Sequence, residues 1–332
     1  RTCLVGSEMC IRDRLSTMYN FSNHDEQLKT LLNLEIENLS PKEKIYFCYS
    51  KSNAYHNNKD YKKSAYFLKI ANDEKLKIQP SDLKRDYWIK NKSFKSKIDH
   101  NLNLEEVKDS NQYLFIVGMP RCGSTLLESI LSLNPEVKDL GEVPFLEESL
   151  QKSNDLLEVR KLYKEKVMLV NSKQQIFTDK NLFNFLYCPI IYRFFPNAKI
   201  IHCIRNPLDN ILSIYRTNFL NQSFSSSLND ISDLYLYHLK LMKEYKSKFG
   251  SIIYSYDHEQ VVRNPKETIQ DLINWLDWEW NEKYLSPQKS KRSVFTASSA
   301  QVRKKINPNS SGCWKKYEDL LEPISELFPT YN

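Results

Sequence analysis

The amino-acid sequence predicts an α/β fold built on a parallel sheet, preceded by a small all-α segment of helical repeats. Three observations carry this expectation. Tyr113 to Val117 is an unbroken apolar run that passes through a glycine-bounded loop into the helical spacing Leu126, Leu127, Ile130, Leu131, Leu133. That is the pattern of a strand buried on both faces followed by a packed helix. Ala198 to Tyr215 repeats the order strand, turn, helix. Residues 18–80, by contrast, carry only helical spacing.

Residues 1–17 fit neither part. Arg1 to Arg14 resembles a translated sequencing-adapter fragment, so a non-native tag is expected there, with natural translation from Met18. A helix from Asp25 to Asn38, apolar at Leu28, Leu31, Leu32 and Leu34, is expected to pack on the helical segment after it. Ile45 to Lys77 places Tyr46, Tyr55, Tyr61, Ser64, Leu68 and Ala71 at spacings that resemble one tetratricopeptide helix pair, with Asn57 to Asp60 as its turn. A truncated helical array and a plain helical cap on the next domain are both open readings. Residues 81–111, free of glycine and rich in Lys, Asp, Asn and Ser, read as a linker with partial packing at Trp88 and Phe94; the α/β domain is expected over 112–332.

Of only six glycines in 332 residues, two bound the loop Gly118-Met-Pro-Arg121-Cys122-Gly123-Ser124-Thr125. A helix N-terminus presents unsatisfied N–H donors and a partial positive charge, so a phosphate placed there is stabilised. The loop approaches the nucleotide-binding pattern G-x-x-x-x-G-K-[ST], yet Ser124 stands where that pattern demands lysine. The lysine reaches the β and γ phosphates in ATPases and GTPases, so its loss argues against that chemistry. Arg121 supplies the positive charge instead.

In the second unit, Lys199 to Ile204 reads as a strand, Asn206 as an N-cap and Pro207 as the first helical residue. Arg205 therefore sits at a strand's carboxyl end, where open parallel sheets bind ligands, with Ser213 about two turns into the helix and able to share an anion. Between these units lie Lys138-Asp-Leu-Gly141-Glu142-Val-Pro, a charged helical stretch from Leu146 to Lys173 expected to border an acceptor, and Ile176-Phe-Thr-Asp-Lys180. Downstream come a strand from Ser251 to Tyr256, then Asp257-His258-Glu259, then Thr296-Ala-Ser298 through Arg303, and Gly312-Cys313-Trp314-Lys315-Lys316-Tyr317.

The formal charge of +7 is modest and the Lys and Arg residues are spread along the chain without a recognition motif, which argues against a nucleic-acid binder. Seven cysteines and six histidines are scattered, with no disulfide framework or metal-ligand spacing. No stretch of about 18 apolar residues occurs, so a membrane-free, cytoplasmic protein is expected.

The string Gly-Met-Pro-Arg-Cys-Gly-Ser-Thr-Leu resembles the 5′-phosphosulfate loop of sulfotransferases, which use 3′-phosphoadenosine 5′-phosphosulfate (PAPS) as co-substrate and need no metal. The Arg205 and Ser213 spacing resembles their 3′-phosphate site, and Gly141-Glu142 resembles the element of tyrosylprotein sulfotransferases in which the glutamate is the proposed base. The resemblance spans about Leu114 to Tyr317 with its motifs in family order. It implies a P-loop-like three-layer parallel sheet, Arg121, Cys122, Gly123, Ser124, Thr125, Arg205 and Ser213 on PAPS, and Glu142 as base. It further implies Lys180 beside the scissile bond and Ser298 near the bridging oxygen. Relatives commonly carry a nucleotide-contacting tyrosine at the place of His258 and a basic residue at that of Cys313, so Lys315 or Lys316 would have to supply the latter charge. Bacterial tetratricopeptide-linked sulfotransferases share this order of parts, with a protein partner for the repeat. The acceptor could be a peptide tyrosine, a glycan or a small phenol. Two rivals are a P-loop kinase using ATP and Mg²⁺, and a nucleotide-binding scaffold without turnover.

Overall fold

A computed structural model describes residues 39–83, 110–170, 173–220, 222–290, 305–307 and 311–329. The expected tag, the helix over 25–38, the packing of Trp88 and Phe94, and the late residues Ser298 and Arg303 lie outside the described residues. The chain divides into two compact units that interleave along the sequence.

Within the described residues, the first unit joins 39–83 to 207–234 and 312–329. Helices α1 (Pro41–Asn57) and α2 (Tyr61–Ile78) form the pair expected from the spacing. Ser40 and Glu43 close a capping box on α1, satisfying donors that a helix start leaves bare, and Asp60 accepts from the Lys63 N–H at the start of α2. Ser64, Leu68 and Ala71 are fully buried against α1, where the Ser52 and Ser64 hydroxyls meet at 3.0 Å and Tyr49 donates to Asn72 Oδ1 at 2.7 Å. Helix α7 (Pro207–Tyr215) belongs to this unit too: Asn72 donates to the Tyr215 carbonyl at 3.1 Å. Asp209 on α7 accepts the N–H groups of Gly312 at 2.6 Å and Trp314 at 2.8 Å. The turn it holds ends at Tyr317, whose hydroxyl meets His56 Nδ1 at 2.7 Å and Ser64 Oγ at 2.8 Å. Lys315 lies over the Trp314 ring and Lys316 over the Tyr61 ring. Helix α11 (Glu318–Ser325) completes the unit.

The second unit holds a five-stranded parallel sheet in the order β2-β3-β1-β4-β5: β1 (Gln112–Gly118), β2 (Val137–Gly141), β3 (Ile176–Asp179), β4 (Ala198–Ile204) and β5 (Ile253–Asp257). Successive strand residues face opposite sides, and β1 makes both layers visible. Leu114 and Ile116 join a buried cluster with Leu127 and Ile130 of α3 (Ser124–Leu131) and Ile269 and Leu272 of α10 (Pro265–Trp275). Tyr113 and Phe115 instead meet Tyr163 of α5 (Leu156–Val170) and Phe195 at ring-centroid distances of 5.6 to 5.7 Å. The three-layer α/β expectation is therefore met. The stretch expected to be helical from Leu146 resolves into two helices, α4 (Phe145–Lys152) and α5. The last strand starts at Ile253 because a short 3₁₀ turn, Gly250–Ile252, precedes it. The remaining helices are α6 (Cys188–Phe194), α9 (His258–Arg263) and α8 (Leu228–Phe249), whose residues 228–234 are counted with the first unit.

Candidate active site

The chain leaves β1 towards β2 on one side, returns through β3, and crosses to β4 on the other, so the sheet order reverses at β1. Such a reversal opens a crevice beyond the strands' carboxyl ends, where α/β proteins take ligands. The candidate site stands at that edge of the second unit.

The loop after β1 uses three left-handed backbone positions: Gly118 at φ +151°, Arg121 at +68° and Gly123 at +93°. A β-carbon on Gly118 would stand 2.7 Å from the Cys203 carbonyl of β4, and one on Gly123 would stand 2.4 Å from His258 Nδ1. Both contacts are impossible for a real side chain, so each glycine is needed for close approach as well as for conformation. Helix α3 starts at Ser124, and the Gly123 carbonyl accepts from Leu126 and Leu127. Ser124, Thr125 and Cys122 are buried, and Arg121 is half-buried.

Arg205 extends from the end of the neighbouring strand and donates through Nη1 to the Arg121 carbonyl at 3.0 Å. Glu259 on α9 anchors this corner: its Oε2 accepts the Asn206 N–H at 2.9 Å and its Oε1 lies 4.0 Å from Arg205 Nε. Tyr235 donates to the Arg205 carbonyl at 2.7 Å. Burial, opposed by the Asn206 N–H and Arg205, raises the Glu259 carboxyl above its ordinary range. His258 packs against Gly123, and burial with the Arg205 charge pushes its pKa down to about 3, so the imidazole is neutral near pH 7.

On the other side of β1, Lys180 follows β3 and is fully buried. Its Nζ donates to Glu142 Oε1 at 2.6 Å and lies 3.8 Å from Oε2 of Glu128, itself fully buried on α3. Glu142 reaches this point because β2 bulges between Asp139 and Gly141 and turns at Gly141, φ +75°; its side chain is 57% exposed. The Gly141 carbonyl accepts the Lys180 N–H at 2.9 Å, locking the two turns together. Beside them Asp179 accepts from Tyr163, Asn181 and Asn184. Burial, reinforced by Glu128, raises Asp179 to about 7 against the pull of Asn181, Tyr163 and Lys180.

Of the residues singled out from sequence, Arg121, Cys122 and Gly123 end one loop and Ser124 and Thr125 open the helix that follows it, Arg205 donates to the Arg121 carbonyl, and Glu142 meets Lys180. Ser213 lies half-buried on α7 of the first unit; Ser298 is outside the described residues. Glu128 and Glu259 were not singled out. Glu128 reads as the polar position of an amphipathic helix, and Glu259, noted only as neighbour of His258, gives no sign in sequence that it would meet Arg205. Among the described residues, no group of three or more His, Cys, Asp or Glu is placed to hold a metal, and no helix is long and apolar enough to cross a membrane.

A model of the Sulfotransferase family matches residues 113–166 and 155–282, half of the chain. Among relatives, an uncharacterized protein of Aquifex aeolicus is 32% identical over 245 residues, 66% of this chain but 32% of that protein, so the chain spans about a third of its length. A putative protein-tyrosine sulfotransferase of Caenorhabditis briggsae is 24% identical over 252 residues, covering 66% of this chain and 86% of that one. Among solved structures, the sulfotransferase domain of the Synechococcus olefin synthase is 19% identical with a TM-score of 0.48, covering 66% of this chain and 96% of that domain. The loop, the strand-end arginine and the Glu–Lys pair thus stand inside the span of the family match, and the chain belongs to the sulfotransferase family.

Proposed function

We propose that the chain moves a sulfuryl group from PAPS to a hydroxyl acceptor. The observation that carries this reading is the 2.6 Å contact between Lys180 and Glu142 at the sheet edge that also bears an anion loop lacking the nucleotide-hydrolase lysine. Residues Arg121 to Thr125 hold the 5′-phosphosulfate, Arg205 and Ser213 hold the 3′-phosphate, and Ser298 approaches the bridging oxygen. The acceptor oxygen attacks sulfur in line with the bridging oxygen, and its proton passes to Glu142, whose exposed side chain can meet an incoming hydroxyl. The bond from sulfur to the bridging oxygen breaks with its electron pair left on the 5′-phosphate, where the Lys180 ammonium stabilises the developing charge. The reading uses no metal and inverts the configuration at sulfur.

A peptide tyrosine is the acceptor favoured by the Caenorhabditis relative; a glycan or small phenol offers the same hydroxyl chemistry. We place the reaction in the cytoplasm, with the α1–α2 pair as a tetratricopeptide-like site for a protein partner. The test is PAPS consumption with p-nitrophenol or a tyrosine peptide as acceptor. Glu142→Gln is expected to keep nucleotide affinity and lose about 10²-fold or more of turnover, the usual contribution of a positioned base. Full activity in that variant would remove Glu142 from the mechanism, and phosphate transfer from ATP dependent on Mg²⁺ would favour the kinase reading.

A further inference from the structure

Two carboxylates flank the Lys180 ammonium, and they differ in what can reach them. Glu142 is 57% exposed, whereas Glu128 and Lys180 are both fully buried. We infer that Glu128 is a positioning residue for Lys180, keeping the ammonium charged and in place at the moment Glu142 is neutralised. The inference rests on the sulfotransfer reading and adds to it a residue with no part in the proton transfer or the bond cleavage themselves.

The charge balance gives such a group a role. While Glu142 is ionised, Lys180 has a carboxylate at 2.6 Å. Once the acceptor's proton moves to Glu142, that partner is neutral, just as electron density builds on the bridging oxygen. A buried ammonium without a counter-charge is costly, and until the bridging oxygen has gained its negative charge a second carboxylate holds Lys180 in place. Glu128, 3.8 Å from Nζ, remains. Burial keeps it from the acceptor, so it cannot replace Glu142 as base. Its carboxylate is steadied by the Thr178 hydroxyl at 3.5 Å. Its backbone sits one turn beyond the loop, in the helix that begins at Ser124.

A double-mutant cycle on turnover separates this from a merely structural ion pair. Glu128→Gln, Lys180→Met and the double variant are compared by single-turnover PAPS consumption, with p-nitrophenol and with water alone as acceptor. Each is also titrated with 3′,5′-adenosine bisphosphate by calorimetry. If Glu128 acts through Lys180, Glu128→Gln slows transfer by roughly 10- to 100-fold, the range seen when a partner that orients a working group is removed, while bisphosphate affinity stays near wild type. The double variant is then no slower than Lys180→Met. Glu128→Asp, which keeps the charge on a shorter arm, recovers part of the rate and serves if the glutamine variant fails to fold. Transfer by Glu128→Gln at the wild-type rate, or penalties that multiply in the double variant, overturns the role of Glu128 alone. A wild-type protein that does not bind the bisphosphate, or binds it and consumes no PAPS with either acceptor, overturns the sulfotransfer reading and this inference with it.

Discussion

Substituting Gly123 by alanine challenges the loop at its tightest point. The geometry imposes two separable penalties. At φ +93° an L-residue is strained by about 1–3 kcal/mol. The new methyl would also stand 2.4 Å from His258 Nδ1, 3.0 Å from Cγ and 3.2 Å from Cε1, so the buried ring must move by close to an ångström. Overpacking of that kind costs roughly 1–3 kcal/mol more. The total is about 2–6 kcal/mol, a large fraction of a domain's stability. The two parts can be told apart because only the second needs the imidazole. Guanidinium unfolding of wild type, Gly123→Ala, His258→Ala and the double variant should give a favourable coupling of about 1–3 kcal/mol, with the backbone strain remaining in the double variant. Bisphosphate affinity should fall in Gly123→Ala. Additive penalties would refute the packing of His258 on the loop, and an alanine variant as stable as wild type would refute the strain as well.

Two further perturbations probe one contact in each unit. Asp209→Asn turns an amide N–H₂ towards one of the two backbone N–H groups that its carboxylate now accepts, from Gly312 and Trp314; a loss of about 2–4 kcal/mol is expected, and one below about 0.5 kcal/mol would show that this clamp does not hold the turn. Asp179 gives a pH signature. Its folded pKa of about 7 lies above the ordinary 3.8, so the native state holds the proton more tightly than the unfolded chain. Its favourable contribution is complete below pH 4 and is lost as pH rises through 7. Three pH units at about 1.4 kcal/mol each put the loss on the order of 4 kcal/mol. The difference in unfolding free energy between wild type and Asp179→Asn should slope over that window, and a flat difference from pH 5 to 8 would mean the carboxyl is ionised throughout.

The parts of the fold legible in sequence are those governed by local chemistry. The β1 run is apolar on both faces, the loop is punctuated by glycine, and Pro207 starts α7 after a strand rich in isoleucine. By contrast, β2 reads Val-Lys-Asp-Leu-Gly and β3 has four residues, too short and too polar to declare themselves. Their place beside β1 is decided by pairing with a strand already in the sheet. Lys180 could be singled out by likeness, yet its complete burial follows from the meeting of the β2 and β3 turns under α3. Glu128 is the one charged residue of the octet Ser-Thr-Leu-Leu-Glu-Ser-Ile-Leu, where a carboxylate looks like the solvent side of a helix. Only the third dimension sets it against a lysine. The same holds for Asp209 and Tyr317, which draw later chain segments into the first unit through contacts about a hundred or more residues away in sequence.

The central claim, that this loop and strand-end arginine serve a 3′-phosphorylated sulfate donor, is tested most directly by calorimetric titration of 3′,5′-adenosine bisphosphate against ADP with Mg²⁺, on wild type and Arg205→Ala. Micromolar binding of the bisphosphate, weakened by the substitution and not matched by ADP with Mg²⁺, is the predicted result. Preference for ADP with Mg²⁺, or bisphosphate binding indifferent to Arg205, would contradict it.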